Sequence, residues 1–410
     1  MRGWNLLLYG LSSVSFVGRI ARHITEHIAA DEEVILFPTL ASQINNTHWD
    51  VPIHGWIYEP ERDDRKRRAF LSVLRKALNL KKGDIETECF TRRAQWFLVD
   101  NERWKSPKIE ILGQVYRVPV SAKNGHFLGN VLVSLNNNNN NNNNNHDNPE
   151  YDDDIKHSDG HFITQATQLL PLTTRAADGR VFESHAHLVP NQGISVISDI
   201  DDTVKISNVT HKKALLRNTF LKEFQPVPGM SNLYQAWQHQ FNASFHFVSS
   251  SPYQLFTDLE DFRRKYSFPE ATFHLKTIRP KDKSLLLKLF SDPLKSKNAT
   301  ISAILERFPD RKFILVGDSG EKDPEVYGHL ARTYATQIVS IFIRKIPAKQ
   351  VAKQAGKQAT EVDQEAVFAE RMEQAFAGIP SSQWRVFEDA EEVVNDTLLL
   401  SEEIIVPTNV

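Results

Sequence analysis

Two regimes of apolar patterning divide the chain. Up to about residue 190 the apolar residues fall in short runs: EVILFP (33–38), PIHGWIY (52–58), QWFLVD (95–100), IEIL (109–112), VYRVPV (115–120), HFLGNVLVSL (126–135) and RVFESHAHLV (180–189). Runs of this length, separated by Gly, Pro, Asn and charge, predict strands. The segment RDDRKRRAFLSVLRKAL (62–78) predicts a helix that interrupts them. A β-sandwich-like domain over 31–190 is the expected packing. From Gly193 the pattern changes to continuous apolar strands, ISVIS (194–198), SFHFV (244–248), KFILV (312–316) and IVSIFI (338–343), alternating with amphipathic helices such as 231–240 and 299–308. Strands apolar on both faces predict a Rossmann-like, doubly wound parallel sheet, so the second half reads as an α/β domain over 191–400. Within it, an Ala-, Gln-, Lys- and Glu-rich stretch predicts a helical insertion over 347–378, and WRVFED (384–389) an edge strand before a short last helix.

The two ends of the first regime behave differently. Residues 1–30 form an N-terminal helical segment in this reading, with Leu6, Leu7, Tyr9, Phe16, Ile20 and Ile24 loosely on one face. Gly10 and three serines make it too polar for a membrane span, and a domain-capping helix is preferred over an interfacial one. Asn136 to Asn145 is an unbroken asparagine tract followed by HDNPEYDDD, so 136–158 is expected to be a disordered loop with no catalytic role. A chain of 410 residues calls for two or three domains. Its net charge of −2 argues against nonspecific nucleic-acid binding. The single cysteine, Cys89, excludes an intramolecular disulfide and a cysteine-rich zinc site, and a reducing, cytoplasmic setting follows.

Three predicted strands end in chemistry. SVISDIDDTV delivers Asp199 and Asp201, a carboxylate pair able to attack phosphorus and to move a proton. An Asp-x-Asp alone is weak evidence; its place at a strand end strengthens it. FHFVSSSP ends in Ser249, Ser250 and Ser251, whose hydroxyls and amides can hold phosphate oxygens, although the same string reads as a helix cap followed by proline. KFILVGDSGEKDPEVY delivers Asp318 and Asp323, hard oxygen ligands suited to Mg²⁺. All three ends are expected on one edge of one sheet, and that much negative charge needs a cation to admit a phosphate. Lys295 and Lys297, before the helix leading into KFILV, are the candidates, with Lys297 preferred for its register.

Taken together these residues resemble the haloacid dehalogenase superfamily: Asp199-x-Asp201-x-Thr203 its first motif, Ser249 its second, Lys297 its third, and Gly317-Asp318 with Asp323 its fourth. The wider text, including GISVISDIDDTVKIS, PVPGMSNLYQAW, FHFVSSSPYQL and FPDRKFILVGDSGEKDPEVYG, is similar to the catalytic domain of the fungal actin-patch phosphatidate phosphatase family. That likeness runs from about Gly193 to Arg344, with weaker similarity in VPIHGWIYEP and NGHFLGNVLVS. The resemblance implies Mg²⁺-dependent conversion of phosphatidate to diacylglycerol. It makes Asp199 the nucleophile that forms an aspartyl-phosphate, Asp201 the general acid and base, and Ser249 and Lys297 the phosphoryl-holding groups. It also implies Asp199, Asp201 through its carbonyl, and Asp318 as metal ligands, with Asp323 completing the metal's surroundings. The sequence departs from a typical family member in its lack of a long proline-rich tail with adaptor-binding motifs, which puts actin-patch partners in doubt and leaves protein partners open. The 45 residues between Thr203 and Ser249 leave no room for a large cap, so the site is expected to be open to a bulky or membrane-embedded substrate. The segment HKKALLRNTFLKEF (211–224) either meets anionic headgroups, giving peripheral membrane contact, or packs as an ordinary amphipathic helix. A phosphatase of a soluble phosphomonoester or phosphoprotein, and an inert lipid-binding module, are the rival functions.

Overall fold

The computed structural model describes residues 24–60, 65, 72, 88–135, 167–278, 293–346 and 361–394. The expected N-terminal helix up to residue 23, nearly all of the helix at 62–78, the asparagine-rich stretch 136–158 and the first part of the insertion at 347–360 lie outside them.

The second half is α/β. Strands β10 (Ile194–Ser198), β11 (Ser244–Pro252), β12 (Ala271–Lys276), β13 (Lys312–Asp318), β14 (Ile338–Arg344) and β15 (Trp384–Phe387) form a six-stranded sheet in the order β12-β11-β10-β13-β14-β15. Every neighbouring pair runs parallel. The chain therefore starts in the middle of the sheet, moves out through β11 to β12, and returns to the other side of β10 at β13. The order reverses between β10 and β13, and the crevice beyond the carboxyl ends of such a pair is where open α/β sheets bind ligands.

Alternation along the strands shows both faces covered. In β13, Ile314 and Val316 join one core, while Phe313 and Leu315 join the other. Helices at Met230–Phe241 and Phe256–Lys265 cover the first face, whose core takes in Leu233, Trp237, Leu259 and Phe262. Helices at Pro293–Arg307, Asp323–Thr333 and Glu361–Ala375 cover the second with Ile301, Leu305, Leu330 and Met372.

Among the described residues of the first half, nine strands form one mixed sheet: β1 (Glu33–Leu36), β2 (Thr39–Gln43), β3 (His48–Glu59), β4 (Asp100–Asn101), β5 (Lys108–Ile111), β6 (Gln114–Arg117), β7 (His126–Ser134), β8 (Gln168–Arg175) and β9 (Val181–Val189). Its main path runs β1-β3-β2-β9-β8-β5-β6, with β4 and β7 on the far side of β3. The hydrogen-bond ladder joins all of these strands into one sheet, where two packed sheets were expected. Strands β2 and β8 were not anticipated.

The run QWFLVD is not the strand expected from its apolar content. Residues Glu88–Ala94 form helix α1, a 3-10 turn follows at Gln95–Phe97, and only Asp100–Asn101 pairs as β4. Phe90, Ala94 and Phe97 recur at helical spacing and are buried in the same core as Phe220 of the second half. Among the described residues no helix is long and apolar enough to cross a membrane.

Candidate active site

Asp199 leaves the end of β10 with its amide donating to Val316 of β13 at 2.9 Å. The chain then turns sharply. Asp202 sits in the left-handed region at φ 59°, and its carboxylate accepts from the amides of Ser207, Asn208 and Val209 at 2.7, 2.8 and 2.6 Å. Aspartate tolerates this backbone because its short side chain satisfies nearby amides. Arg344 of β14 donates to the Asp202 carbonyl at 2.8 Å and fixes the turn from the neighbouring strand. Asp202 thus shapes the loop that presents Asp199, Asp201 and Thr203; the Thr203 hydroxyl lies 3.4 Å from Asp199 Oδ2.

Asp201 is gripped from two sides. Lys205 Nζ and the Ser207 hydroxyl donate to Oδ1 at 2.7 and 2.6 Å. Ser251 and Ser249 donate to Oδ2 at 2.8 and 3.3 Å. Burial alone would raise this carboxyl's pKa, but the Lys205 ammonium and the hydroxyl hydrogen bonds outweigh it and hold it at about 2. Lys205 is itself buried, hydrogen-bonded to Ser207, and lies 4.7 Å from the centre of the Phe224 ring.

The third strand end closes the crevice. Lys297 Nζ lies 2.7 Å from Asp199 Oδ1, 2.6 Å from Asp323 Oδ1 and 3.2 Å from Glu321 Oε2. Asp323 Oδ2 accepts the Asp318 amide at 3.2 Å, so both oxygens of Asp323 are engaged. Asp318 Oδ1 accepts from Gly320 and Glu321 at 2.6 and 3.2 Å, while its buried Oδ2 has no partner among the described residues. A Cβ on Gly317 would lie 2.5 Å from Asp323 Oδ2, so the close approach of the two aspartates requires glycine there.

Carboxylate oxygens of Asp199, Asp318 and Asp323 lie within 4.8 Å of one another, all three side chains buried. Burial, then the neighbouring carboxylates, push Asp199 and Asp318 well above the ordinary aspartate range, with Lys297 opposing. Burial likewise raises Glu321. Burial disfavours the Lys297 ammonium, but Asp199, Asp323 and Glu321 outweigh it and hold the lysine charged. One lysine among four carboxyl groups leaves a pocket whose donors toward a cation are oxygens. Such a donor set, with an orphaned oxygen on Asp318, suits a hard divalent cation.

The structure thus brings together the residues of the four motifs: Asp199, Asp201, Thr203, Ser249, Lys297, Asp318 and Asp323. The string Ser249–Pro252 continues strand β11 and does not cap a helix directly. Lys205, Ser207, Ser251 and Glu321 were not given individual roles by the sequence. Lys205 falls four residues after Asp201, and Glu321 between the two aspartates of GDSGEKD, but neither spacing announces a contact until the loops are folded.

Helix α2 (Lys212–Phe220) borders the same crevice. Its Leu216 and Phe220 are buried in the core, with Leu221 just beyond, while Lys212, Lys213 and Arg217 are exposed. The apolar side of this segment packs inward, leaving its basic side outward. Arg93 of α1 secures the end of α2, donating to the carbonyls of Thr219 and Lys222 at 2.9 and 2.6 Å and to Asp258 at 3.1 Å. Between α2 and the strand ends is a shallow cleft of about 50 Å³ lined by Asp201, Val209, Leu215, Ser251, Pro252 and Leu255 among others.

Known proteins resemble the chain over the segment that carries these residues. Residues 194–345 match the family described as phosphatidate phosphatase APP1, catalytic domain. Over that stretch, less than half of its length, the chain is similar to the catalytic domain of that family. Phosphatidate phosphatase APP1 of Saccharomyces cerevisiae is 36% identical over 162 residues, 39% of this chain and 27% of that protein. An uncharacterized protein of Schizosaccharomyces pombe is 30% identical over 182 residues, 43% of this chain and 29% of that protein. The matched stretch therefore spans less than a third of the length of either curated relative. Among solved structures, the cell-surface chitinase ChiW of a Paenibacillus species aligns at 7% identity with a TM-score of 0.17, covering 88% of this chain and 43% of that one, and carries no argument.

Proposed function

We propose that the parallel-sheet domain is a haloacid dehalogenase-type, Mg²⁺-dependent phosphatase that converts phosphatidate to diacylglycerol. The observation that carries this reading is the convergence of Asp199, Asp201, Lys297 and Asp318 at the point where the strand order reverses. The family match supplies the reaction class. Asp199 and the partnerless Asp318 oxygen would hold Mg²⁺, with the Asp201 carbonyl, while Asp323 fixes Lys297 and the Asp318 amide. Bound there, Mg²⁺ would neutralise charge on the phosphoryl oxygens.

In this mechanism a carboxylate oxygen of Asp199 attacks phosphorus and the bond to the lipid oxygen breaks. Asp201 gives its proton to that leaving oxygen, releasing diacylglycerol. Asp201 then takes a proton from water as the water oxygen attacks the aspartyl-phosphate, regenerating Asp199 and freeing phosphate. Lys297 and Ser249 hold the phosphoryl oxygens. Lys205 keeps Asp201 ionised in the ligand-free cleft, which suits the second step. The first step requires Asp201 to take up a proton with the incoming phosphate, whose like charge raises its proton affinity.

The cleft also bears on the substrate. A volume of about 50 Å³ cannot enclose an acyl chain, so a lipid would present only its headgroup while its chains stay in the membrane. The exposed Lys212, Lys213 and Arg217 beside it would favour an anionic surface by about 1 kcal/mol per charge at low salt. The test is phosphate release by the purified chain from phosphatidate in mixed micelles, beside a panel of soluble phosphomonoesters, with Mg²⁺ or with EDTA. Mg²⁺-dependent turnover of phosphatidate is the expected result. Turnover confined to a soluble ester would transfer the same chemistry to that substrate, and none with any would remove the enzymatic reading.

A further inference from the structure

Away from the carboxylate crevice, β9 and the approach to β12 bring three potential metal ligands together. His185 and His187 are two residues apart on β9, so both point from the same face of the sheet. Their Nε2 atoms are 3.1 Å apart. Glu270, which immediately precedes β12, places Oε2 3.7 Å from His185 Nε2. All three ligand atoms lie within 4.8 Å of one another. We propose that His185, His187 and Glu270 form a second metal site, for a cation of the Zn²⁺ class, that joins the nine-stranded sheet to the parallel sheet.

The donor chemistry separates this site from the first. Two imidazoles and one carboxylate suit Zn²⁺, whereas Mg²⁺ prefers oxygen alone. Tetrahedral zinc with Zn–N bonds of about 2.0–2.1 Å sets its ligand atoms about 3.3 Å apart, between the two separations seen here. A hydrogen bond between neutral imidazoles would explain the close histidines but not the carboxylate that converges on them.

The surroundings hold the ligands in place. Glu270 Oε1 accepts from Arg263 at 2.7 Å, which turns Oε2 toward the histidines. Arg263 is buried and is itself fixed by Glu260 and by the carbonyl of Phe268. A carboxylate oriented in this way by an outer hydrogen bond is a common feature of protein metal sites. Strand β9 is paired on both sides at His187, with Leu40 of β2 and Leu169 of β8, so the imidazoles stand on a rigid support. His187 is buried by its neighbours, and burial depresses its pKa to about 3, keeping the ring neutral as a ligand must be. Glu270 is half exposed, so water can complete the fourth position. A cation here would tie the strand next to β2 to the loop entering the outermost strand of the catalytic sheet.

The test uses the whole chain, stripped with EDTA and returned to millimolar Mg²⁺ so that the carboxylate pocket is occupied, then titrated with Zn²⁺ by calorimetry with melting followed in parallel. Expected are about one equivalent of Zn²⁺ bound at micromolar or tighter affinity and a rise in Tm. His185→Gln and Glu270→Gln, both at partly exposed positions, should weaken binding at least about tenfold, the scale of losing even an outer partner, and remove the rise in Tm. Asp318→Asn should leave both readouts unchanged. No binding at micromolar Zn²⁺, equal binding by both variants and the parent, or loss on Asp318→Asn alone would each overturn the proposal.

Discussion

The carboxyl edge of the parallel sheet and the aromatic centre of the nine-stranded sheet handle buried polar groups in opposite ways. At the edge, Asp199, Asp318 and Asp323 are almost wholly buried around one lysine, and one oxygen of Asp318 has no partner among the described residues. In the other sheet the buried groups are neutral. His54 and His126 face each other at 3.0 Å, His126 stacks on Trp56 at 5.6 Å between ring centres, and Phe37 and Tyr253 complete the cluster. Desolvation disfavours charge in both places, and the histidines yield by staying unprotonated. Burial pushes Asp199 and Asp318 the same way, well above the ordinary aspartate range, but here the Lys297 ammonium opposes it; buried groups with strongly shifted proton affinity are the mark of a working site.

The contrast is broken most severely by removing Lys297, the cation that opposes these carboxylates. Lys297→Met leaves buried carboxylates unopposed and is expected to destabilise the fold by about 3–5 kcal/mol, measured by urea unfolding in EDTA. A change below about 1 kcal/mol would mean that the carboxylates are already neutral.

Acid should act on the two regions with opposite sign. Burial lowers His126 of the nine-stranded sheet to about 4 from an unfolded value near 6.5. A depressed pKa means that the unfolded chain binds more protons, so this contribution is complete above about pH 6.5 and is lost as pH falls toward 4. At pH 5 this buried histidine should cost about 2 kcal/mol. Asp199 and Asp318, raised by burial, run the other way, since protonation relieves their repulsion. His126→Phe should therefore flatten the loss of stability between pH 7 and pH 5. An unchanged slope would assign that loss elsewhere.

The smallest effect is the most diagnostic of a trade between stability and function. Asp318→Asn keeps an oxygen for the Gly320 and Glu321 amides and removes one repelling charge, so it should raise stability by about 1 kcal/mol in EDTA while abolishing phosphatase activity. Destabilisation instead would show that Asp318 serves the fold.

Much of this site was legible in the sequence because apolar runs that end in aspartate mark the carboxyl edge of a parallel sheet. Asp199 and Asp318 were placed that way, and β10 and β13 begin where expected. Strand β12 was missed because Thr272 and His274 break its apolar run; both face a hydrogen-bonded string with His246 that only the folded sheet reveals. QWFLVD misled because its aromatic content was taken apart from the helical spacing that Phe90 and Ala94 begin. Strand β8 carries Pro171 and few continuous apolar residues, and β2 follows Pro38 closely, so neither had the ordinary strand signature. Lys205 could not be assigned from spacing, since its grip on Asp201 depends on the left-handed turn at Asp202.

The central claim is that Asp199 is the nucleophile of a Mg²⁺-dependent phosphatase, and the direct measurement is phosphate release from phosphatidate micelles by the Asp199→Asn variant beside the parent chain. An amide cannot form the acyl phosphate, so turnover should fall by about 10³-fold or more while melting stays at or above that of the parent. A folded Asp199→Asn variant that retains more than about one per cent of parental turnover would contradict the aspartyl-phosphate mechanism.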